Sequence, residues 1–337
     1  MARILLTGAT GFVGGEVARR LVARGHSLAC LVRTKDGQAP AARLAACGLA
    51  ADVVEGEVGG PLKAVARERW DIVIHCAGDT TFFPRDAELY RRAHVDGAVD
   101  LARKASASVF LHVSTAFVCG MRTGRILESE SDLDQSFHNP YEETKLEAEL
   151  ALRSLELPDL RVARPSIVVG EAPDTTGAGP TSAVYGFVRL VSQLAWHSKY
   201  AGAQLRMPGL RGARFNIVPV EYVADGIVAL AEAPEARGGN FHLVADAPTQ
   251  DEWFSALADR LGMPGLRVVT PRRGTMRQPT RLESRVHGML GRYLDYLAHD
   301  ATFDSTEAAR VLGPQGIRQP VLRGRGLVDF IDRALGV

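Results

Sequence analysis

This 337-residue chain contains no run of about 18 apolar residues, the length a membrane-spanning helix needs. Its net charge is only +1, so no global field draws it to nucleic acid or to an anionic membrane. Cysteine is scarce: Cys30, Cys47, Cys76 and Cys119 are scattered, and none forms a CxxC pair. That pattern excludes a disulfide framework and fits a reducing cytoplasm. His75 adjoins Cys76, but no further ligand follows at metal-like spacing, so no metal is expected. Met1-Ala2-Arg3 leads straight into a strand-like run, which reads as no secretory leader. Internal repeats and low-complexity segments are missing too.

What is present is alternation. Arg3–Thr7, Ser27–Arg33, Asp52–Glu55, Asp71–Cys76, Val109–Ser114 and Arg161–Val169 read as strands. Helical patterns separate them at Glu16–Arg24, Ala41–Ala46, Lys63–Arg69, Leu89–Ala105 and Tyr141–Leu155. Strands divided by helices predict an α/β fold, a Rossmann-type doubly wound parallel sheet. Ligands then sit at the carboxyl ends of the strands. After about residue 170 the pattern turns irregular, with helices expected at Val184–Ser198, Val223–Ala231, Gln250–Leu261 and Leu282–Ala298. Asn216–Pro219 and Asn240–Val244 read as strands that extend the sheet.

The run Thr7-Gly8-Ala9-Thr10-Gly11-Phe12-Val13-Gly14 joins the first strand to the first helix. In such a turn the first glycine permits the bend, and the second lets backbone approach a pyrophosphate. The third lets helix pack on strand. The helix N-terminus then offers free N–H groups to phosphate. The expected dinucleotide contacts are Gly8, Thr10, Gly11, Phe12, Val13 and Gly14. The second strand ends at Arg33, where an acidic residue would hold the ribose hydroxyl of NAD and an arginine suits a 2′-phosphate. The cofactor is therefore expected to be NADP(H), with Arg43 as a second contact. Glu57 and Val58 form an adenine-side loop, while Cys76, Ala77 and Gly78 let backbone lie against the cofactor. His75 reads as buried structure.

Lys145 follows Tyr141 by one helical turn, so both project from one face. An ammonium near a phenol is expected to lower its pKa. Ser114 and Thr115, at the end of the fifth strand, both qualify as the hydroxyl that binds a reacting carbonyl oxygen.

Together these residues resemble an extended short-chain dehydrogenase/reductase, and within it the thioester reductase and fatty acyl-CoA reductase (male-sterility-type) branch. The matching runs are Leu5 to Gly14, Cys30-Leu31-Val32-Arg33, Ile74 to Gly78 with Phe82-Phe83, Val113 to Val118, Tyr141 to Lys145, and Arg164 to Val168. The resemblance implies that Thr115 is the catalytic hydroxyl, Tyr141 the proton donor, and Lys145 the ribose clamp. It also implies that Ser114 adjoins the cofactor and that Pro165, Ile167 and Val168 line the nicotinamide pocket. Residues 1–170 would be the NADP-binding domain, with parts of 215–245 extending its sheet. Residues 171–337 would be mainly a substrate-binding lobe, gated by Gly170–Tyr185.

Two runs depart from the family pattern. His94-Val95-Asp96-Gly97-Ala98 stands where the family often has Asn-Val-x-Gly-Thr, and Gly56-Glu57 where it usually has Gly-Asp. The implied activity is NADPH-dependent reduction of an acyl thioester, coenzyme A- or carrier-bound, to aldehyde, with a second hydride giving alcohol. No carrier segment is evident, so an acyl carrier protein would act in trans. Two other readings stay open: an NADP-dependent oxidoreductase of a secondary-metabolite ketone, aldehyde or alcohol, and a non-catalytic NADP(H) sensor. The arginines Arg272, Arg273, Arg277, Arg281 and Arg285 read first as a solvated linker and second as a carrier-docking patch. The oligomeric state is left open.

Overall fold

The computed structural model describes residues 1–80, 84–170, 183–196, 202–271 and 276–335. A seven-stranded sheet dominates, built from β1 (Arg3–Thr7), β2 (Ser27–Val32), β3 (Asp52–Glu55), β4 (Arg69–His75), β5 (Ser106–Val113), β7 (Leu160–Pro165) and β11 (Asn240–Leu243). The strand order is β3-β2-β1-β4-β5-β7-β11, and every neighbouring pair is parallel. β1 lies between β2 and β4, so the strand order reverses there and opens a crevice at the strand ends.

Alternation on the strands explains why the sheet is covered twice. Ile4 and Leu6 of β1 join one apolar cluster, and Leu5 between them joins the other. The first cluster takes Val17 and Leu21 from α1 (Phe12–Ala23) and Val223 and Ile227 from α7 (Val220–Glu232). The second takes Leu101 from α4 (Gly97–Lys104) and Leu152 from α5 (Pro140–Arg153). Parallel strands buried on both faces read as continuous apolar runs, which is how β1 and β4 look in sequence. The short helix α2 (Pro40–Ala46) follows β2, and α3 (Ala87–Arg91) precedes a single π-helical segment at Arg92–Asp96.

A third apolar cluster belongs to the C-terminal half. It gathers Phe187 and Val191 of α6 (Ala183–Trp196), Trp253 and Leu257 of α8 (Gln250–Leu261), Val286 of α9 (Arg281–Leu290), and Ile331 of α11 (Arg325–Leu335). Two small parallel pairs brace it, β8 (Ile167–Val169) with β10 (Ile217–Pro219) and β9 (Leu205–Pro208) with β12 (Leu266–Val269), while β6 (Gly124–Ile126) pairs with β13 (Ala301–Phe303) in a separate cluster around Phe117. α10 (Thr306–Leu312) packs beside β11.

Several elements differ from the sequence expectation. Arg161–Val169 is two strands. Pro165 has no N–H with which to continue a ladder, and after Ser166 the chain leaves the main sheet to pair with β10. Consequently Asn240–Leu243 extends the main sheet, whereas Ile217–Pro219 does not. The helix expected at 89–105 is interrupted by the π segment. The one expected at 282–298 stops at Leu290 before Gly291, whose φ is +52°, and continues as a 3-10 helix, Gly291–Ala298. Lys63–Arg69 shrinks to one 3-10 turn, Val65–Arg67.

α5 is tied to the sheet by a buried ion pair. Arg164 of β7 donates from Nε to Glu149 Oε1 at 3.0 Å and from Nη2 to Oε2 at 2.5 Å, with 1% and 0% of the side chains exposed. Its Nη1 donates to the carbonyl of Glu130 at 2.8 Å. Glu149→Leu strands the guanidinium and is expected to lower unfolding stability by about 3–5 kcal/mol. The double variant Glu149→Leu/Arg164→Met is expected to recover most of that loss. Urea denaturation of the three proteins measures both.

Candidate active site

The crevice beside β1 starts with backbone that only glycine tolerates. Gly8 has φ +80°, and a Cβ there would meet Ala77 N at 2.8 Å. A Cβ on Gly14 would meet Gly8 O at 2.2 Å, so helix α1 lies directly against the turn. Gly11 donates to Gly8 O at 2.8 Å and caps α1 without any side-chain acceptor. The first-turn N–H groups of α1 thus stay available, and these residues fit a dinucleotide pyrophosphate. Across the turn, Ala77 N donates to Thr7 Oγ1 at 3.0 Å, and Thr7 lies 2.7 Å from His75 Nδ1. Burial, with the Lys145 charge adding to it, drives His75 down to about 3, so it is neutral and structural.

At the rim, Arg43 donates to Arg33 O at 2.6 Å and to Thr10 Oγ1 at 3.1 Å. Arg33 pairs with Glu57. The Arg43 guanidinium therefore joins the end of β2 to the glycine turn, and the Arg33 side chain is held by Glu57. Val58 packs against the backbone of Gly97, where an added Cβ would sit 2.8 Å from Val58 Cγ1.

Farther along the strand ends, Lys145 is buried and donates to Val113 O at 2.9 Å. Burial lowers its pKa to about 8. Thr115 accepts from Phe117 N at 3.2 Å and donates to Pro165 O at 3.4 Å. The neighbouring Ser114 and Ser166 hydroxyls are buried without a partner among the described residues. The expected lowering of the Tyr141 pKa is not what the structure gives. Burial raises it, and Glu142 raises it further, so Tyr141 is held as the protonated phenol.

His94 ties this centre to the loop after β4. Its Nε2 accepts from Asp79 N at 2.9 Å, so the proton of a neutral ring sits on Nδ1, 3.1 Å from Thr144 Oγ1 on α5. Burial, helped by Lys145, lowers its pKa to about 4. Tyr90 donates to Asp79 O at 2.8 Å, so one residue's backbone is clamped on both sides. A Cβ on Gly78 would lie 3.3 Å from Lys145 Nζ. The π segment carries His94, and such segments recur at functional sites.

One cavity of about 470 Å³ runs through all of this. Gly8, Gly11, Phe12, Val13 and Gly14 line one part. Cys76, Gly78, Ser114, Thr115, Tyr141 and Lys145 line the middle, with Pro165, Ile167 and Val168. Thr10, Arg33, Arg43, Glu57, Val58 and Ala77 do not line it. The rest is walled by the C-terminal half, including Phe187, Met207, Phe215, Trp253, Leu294 and Tyr296. No sequence motif pointed to these residues. Tyr296 donates to Glu142, and Asn139 Nδ2 donates to Tyr296 Oη at 2.9 Å, which joins the two halves beside Tyr141. Phe82-Phe83 and most of the Gly170–Tyr185 gate lie outside the described residues, as do Arg272 and Arg273. Among the described residues no helix is long and apolar enough to cross a membrane, and no group of three or more His, Cys, Asp or Glu is placed to hold a metal.

A family model described as Male sterility protein, of an NAD-binding class, matches residues 6–58 and 61–227. The non-canonical nonribosomal peptide synthetase FrzA of Cladobotryum sp is 25% identical over 98% of this chain and 36% of that protein. Carboxylic acid reductase of Mycobacterium marinum is 25% identical over 72% of this chain and 24% of that protein. The chain thus spans well under half the length of these curated relatives. Among solved structures, the terminal R domain from the myxalamid PKS-NRPS biosynthetic pathway superposes with a TM-score of 0.76 at 25% identity, over 99% of this chain and 90% of that one.

The Lys145 charge sets a pH dependence. Its pKa is depressed to about 8, so the ammonium is present below that pH and lost above it. NADPH binding, read by nicotinamide fluorescence, is expected to weaken as the pH rises through 8. Lys145→Met should bind weakly at neutral pH and show no such step.

Proposed function

The chain belongs to the male sterility protein family, and on that premise we propose that it is an NADPH-dependent reductase of acyl thioesters. The observation that carries the reading is one cavity shared by the glycine turn, the residues Thr115, Tyr141 and Lys145, and an apolar chamber. Residues 1–170 act as the cofactor domain and residues 171–337 mainly as the substrate lobe. Gly8, Gly11 and Gly14 with the α1 N-terminus hold the pyrophosphate, and Arg33 and Arg43 hold the 2′-phosphate. Bound NADPH supplies the hydride.

The protein's own groups then handle oxygen and proton. Thr115 gives up its long bond to Pro165 O and donates to the thioester carbonyl oxygen. Tyr141, kept protonated by burial, donates its proton to that oxygen as negative charge develops there. Lys145 holds the nicotinamide ribose and keeps positive charge beside the phenol. The resulting thiohemiacetal collapses to aldehyde and free thiol. The acyl group arrives on coenzyme A or on an acyl carrier protein in trans.

NADPH oxidation followed by absorbance, with thiol release in parallel, tests the reaction on coenzyme A- and pantetheine-linked acyl groups. Coupled oxidation and thiol release are expected. Tyr141→Phe should reduce both by roughly 10²–10⁴-fold. Oxidation with free ketones or aldehydes alone would replace this reading with a carbonyl reductase. NADPH binding without turnover on any carbonyl would indicate a sensor. Arg33→Ala/Arg43→Ala should raise the KM for NADPH by about tenfold or more, as each lost guanidinium–phosphate bond weakens binding, and leave NADH nearly unchanged.

A further inference from the structure

The surface around α9 is charged unlike the rest of the chain. The run Leu266–Leu290 holds six arginines and a single acid, Glu283, in a chain whose net charge is +1. That acid is 0% exposed and already paired with Arg206. Arg206 stands in register with Arg267 across the β9–β12 pair, on the side opposite the buried Leu205, Met207, Leu266 and Val268. Its guanidinium also donates to the carbonyl of Gln278 at 3.0 Å, which sets the start of α9 beside the strand pair. Along α9, Arg281, Arg285 and Met289 follow at four-residue spacing and are all exposed, whereas Leu282, Val286 and Leu290 pack into the lobe. Among the described residues, Arg267, Arg277, Arg281 and Arg285 are engaged by no carboxylate.

The same segment leads to the cavity. Among the described lobe residues that line the cavity, Tyr293 alone is exposed, at 40%. The exposed lining residues at the other end, Gly11, Gly78 and Thr80, belong to the crevice of the glycine turn, where the dinucleotide sits. The Tyr293 side is thus left as the way in for an acyl arm. Three residues farther on, Tyr296 reaches Glu142, next to Tyr141.

We infer that the α9 face of Arg281, Arg285 and Met289, with Arg267 and Arg277 beside it, docks an acidic acyl carrier protein whose pantetheine arm passes Tyr293 into the chamber. This rests on the thioester reductase reading and names the partner of that site. The arginines are spread over a strand pair and a helix, with an exposed methionine among them. A nucleotide phosphate calls for donors that converge on one point. Carboxylates scattered over a protein surface match guanidinium groups spread around an apolar residue.

The test presents one acyl group on three carriers: octanoyl-acyl carrier protein, octanoyl-coenzyme A and octanoyl-pantetheine, each reduced with NADPH. The carrier protein should show the lowest KM, and that KM should rise with added salt while the pantetheine value stays level. Arg281→Glu/Arg285→Glu is expected to raise the carrier-protein KM by about tenfold or more. It should leave kcat, the pantetheine KM and NADPH binding unchanged, and the last of these reports that the variant is folded. Arg67→Glu/Arg103→Glu makes the same charge change at exposed positions elsewhere and should alter none of these values. An equal loss with coenzyme A would make the patch a nucleotide site and overturn the inference. So would a carrier protein that is no better than pantetheine, or an equal effect of the control variant. If no thioester is reduced while NADPH binds, the reductase reading has failed. Calorimetric binding of the carrier protein bearing an octanoyl thioether, which cannot be reduced, then decides docking by itself. Binding that is missing in the wild type, or that survives Arg281→Glu/Arg285→Glu, overturns it.

Discussion

The site depends on how one helix is fastened to the sheet. Tyr141, Lys145 and Glu149 follow one another at four-residue spacing on α5, so they form a single stripe. The lower two are tied to neighbouring strands, Glu149 to Arg164 of β7 and Lys145 to Val113 O at the end of β5. Both ties are buried and polar, and a polar tie has a length and a direction that apolar packing lacks. Rotating α5 by even a fraction of a turn would break the two together. The position of Tyr141 over the strand ends follows from that, as does the meeting of its phenol with Thr115 in one cavity. The arrangement costs something at Lys145, where burial against a neutral carbonyl brings the ammonium pKa down to about 8.

Neutral neighbours make that charge effective. His75, His94 and His112 all lie close enough to Lys145 to feel it, and burial keeps each of them uncharged. His94 has a further use, since its two ring nitrogens bridge the loop after β4 to α5. The imidazole performs this bridging from within the π segment. Gly97, just after that segment, admits Val58 at a distance that a side chain would forbid. The loop, the helix and the turn at Glu57-Val58 are thereby fitted to one another through a few backbone approaches.

The parts of the molecule that were legible in sequence are those encoded locally. Gly8, Gly11 and Gly14 announce a turn because a Cβ on Gly8 or Gly14 would collide with neighbouring backbone. The Tyr141 and Lys145 spacing announces a shared helix face. The early strands announce themselves by continuous apolar runs. Legibility fails where an outcome depends on distant packing. The exit of the chain from the main sheet at Ser166 needs β10 as a partner, and β9, β12 and β13 are too short to carry a period. The Tyr141 pKa escapes the sequence for the same reason, since a lysine at i+4 is visible there but the burial of the phenol is not. Trp253 and Tyr296 reach the cavity only because the lobe folds over it, and nothing in their surrounding residues marks them.

This division has a chemical consequence. The sheet side of the cavity combines the glycine turn, hydroxyls and one ammonium with apolar side chains such as Phe12, Val13 and Val113, arranged by contacts that tolerate little change. The lobe side is aromatic and aliphatic, and its shape is set by side chains alone. Such walls can be remodelled without disturbing the strand ends, so substrate choice can vary while the chemistry is retained. The two sides are nevertheless not independent. Glu142 follows Tyr141 directly, is 0% exposed, and accepts from Tyr296 of the lobe and from His138, whose Nδ1 lies 3.0 Å away. The same carboxylate adds to the burial that keeps the Tyr141 phenol protonated. A lobe that seats Tyr296 on Glu142 thus also completes the electrostatic surroundings of the Tyr141 phenol. The seat of the lobe and the protonation of that phenol share one buried carboxylate.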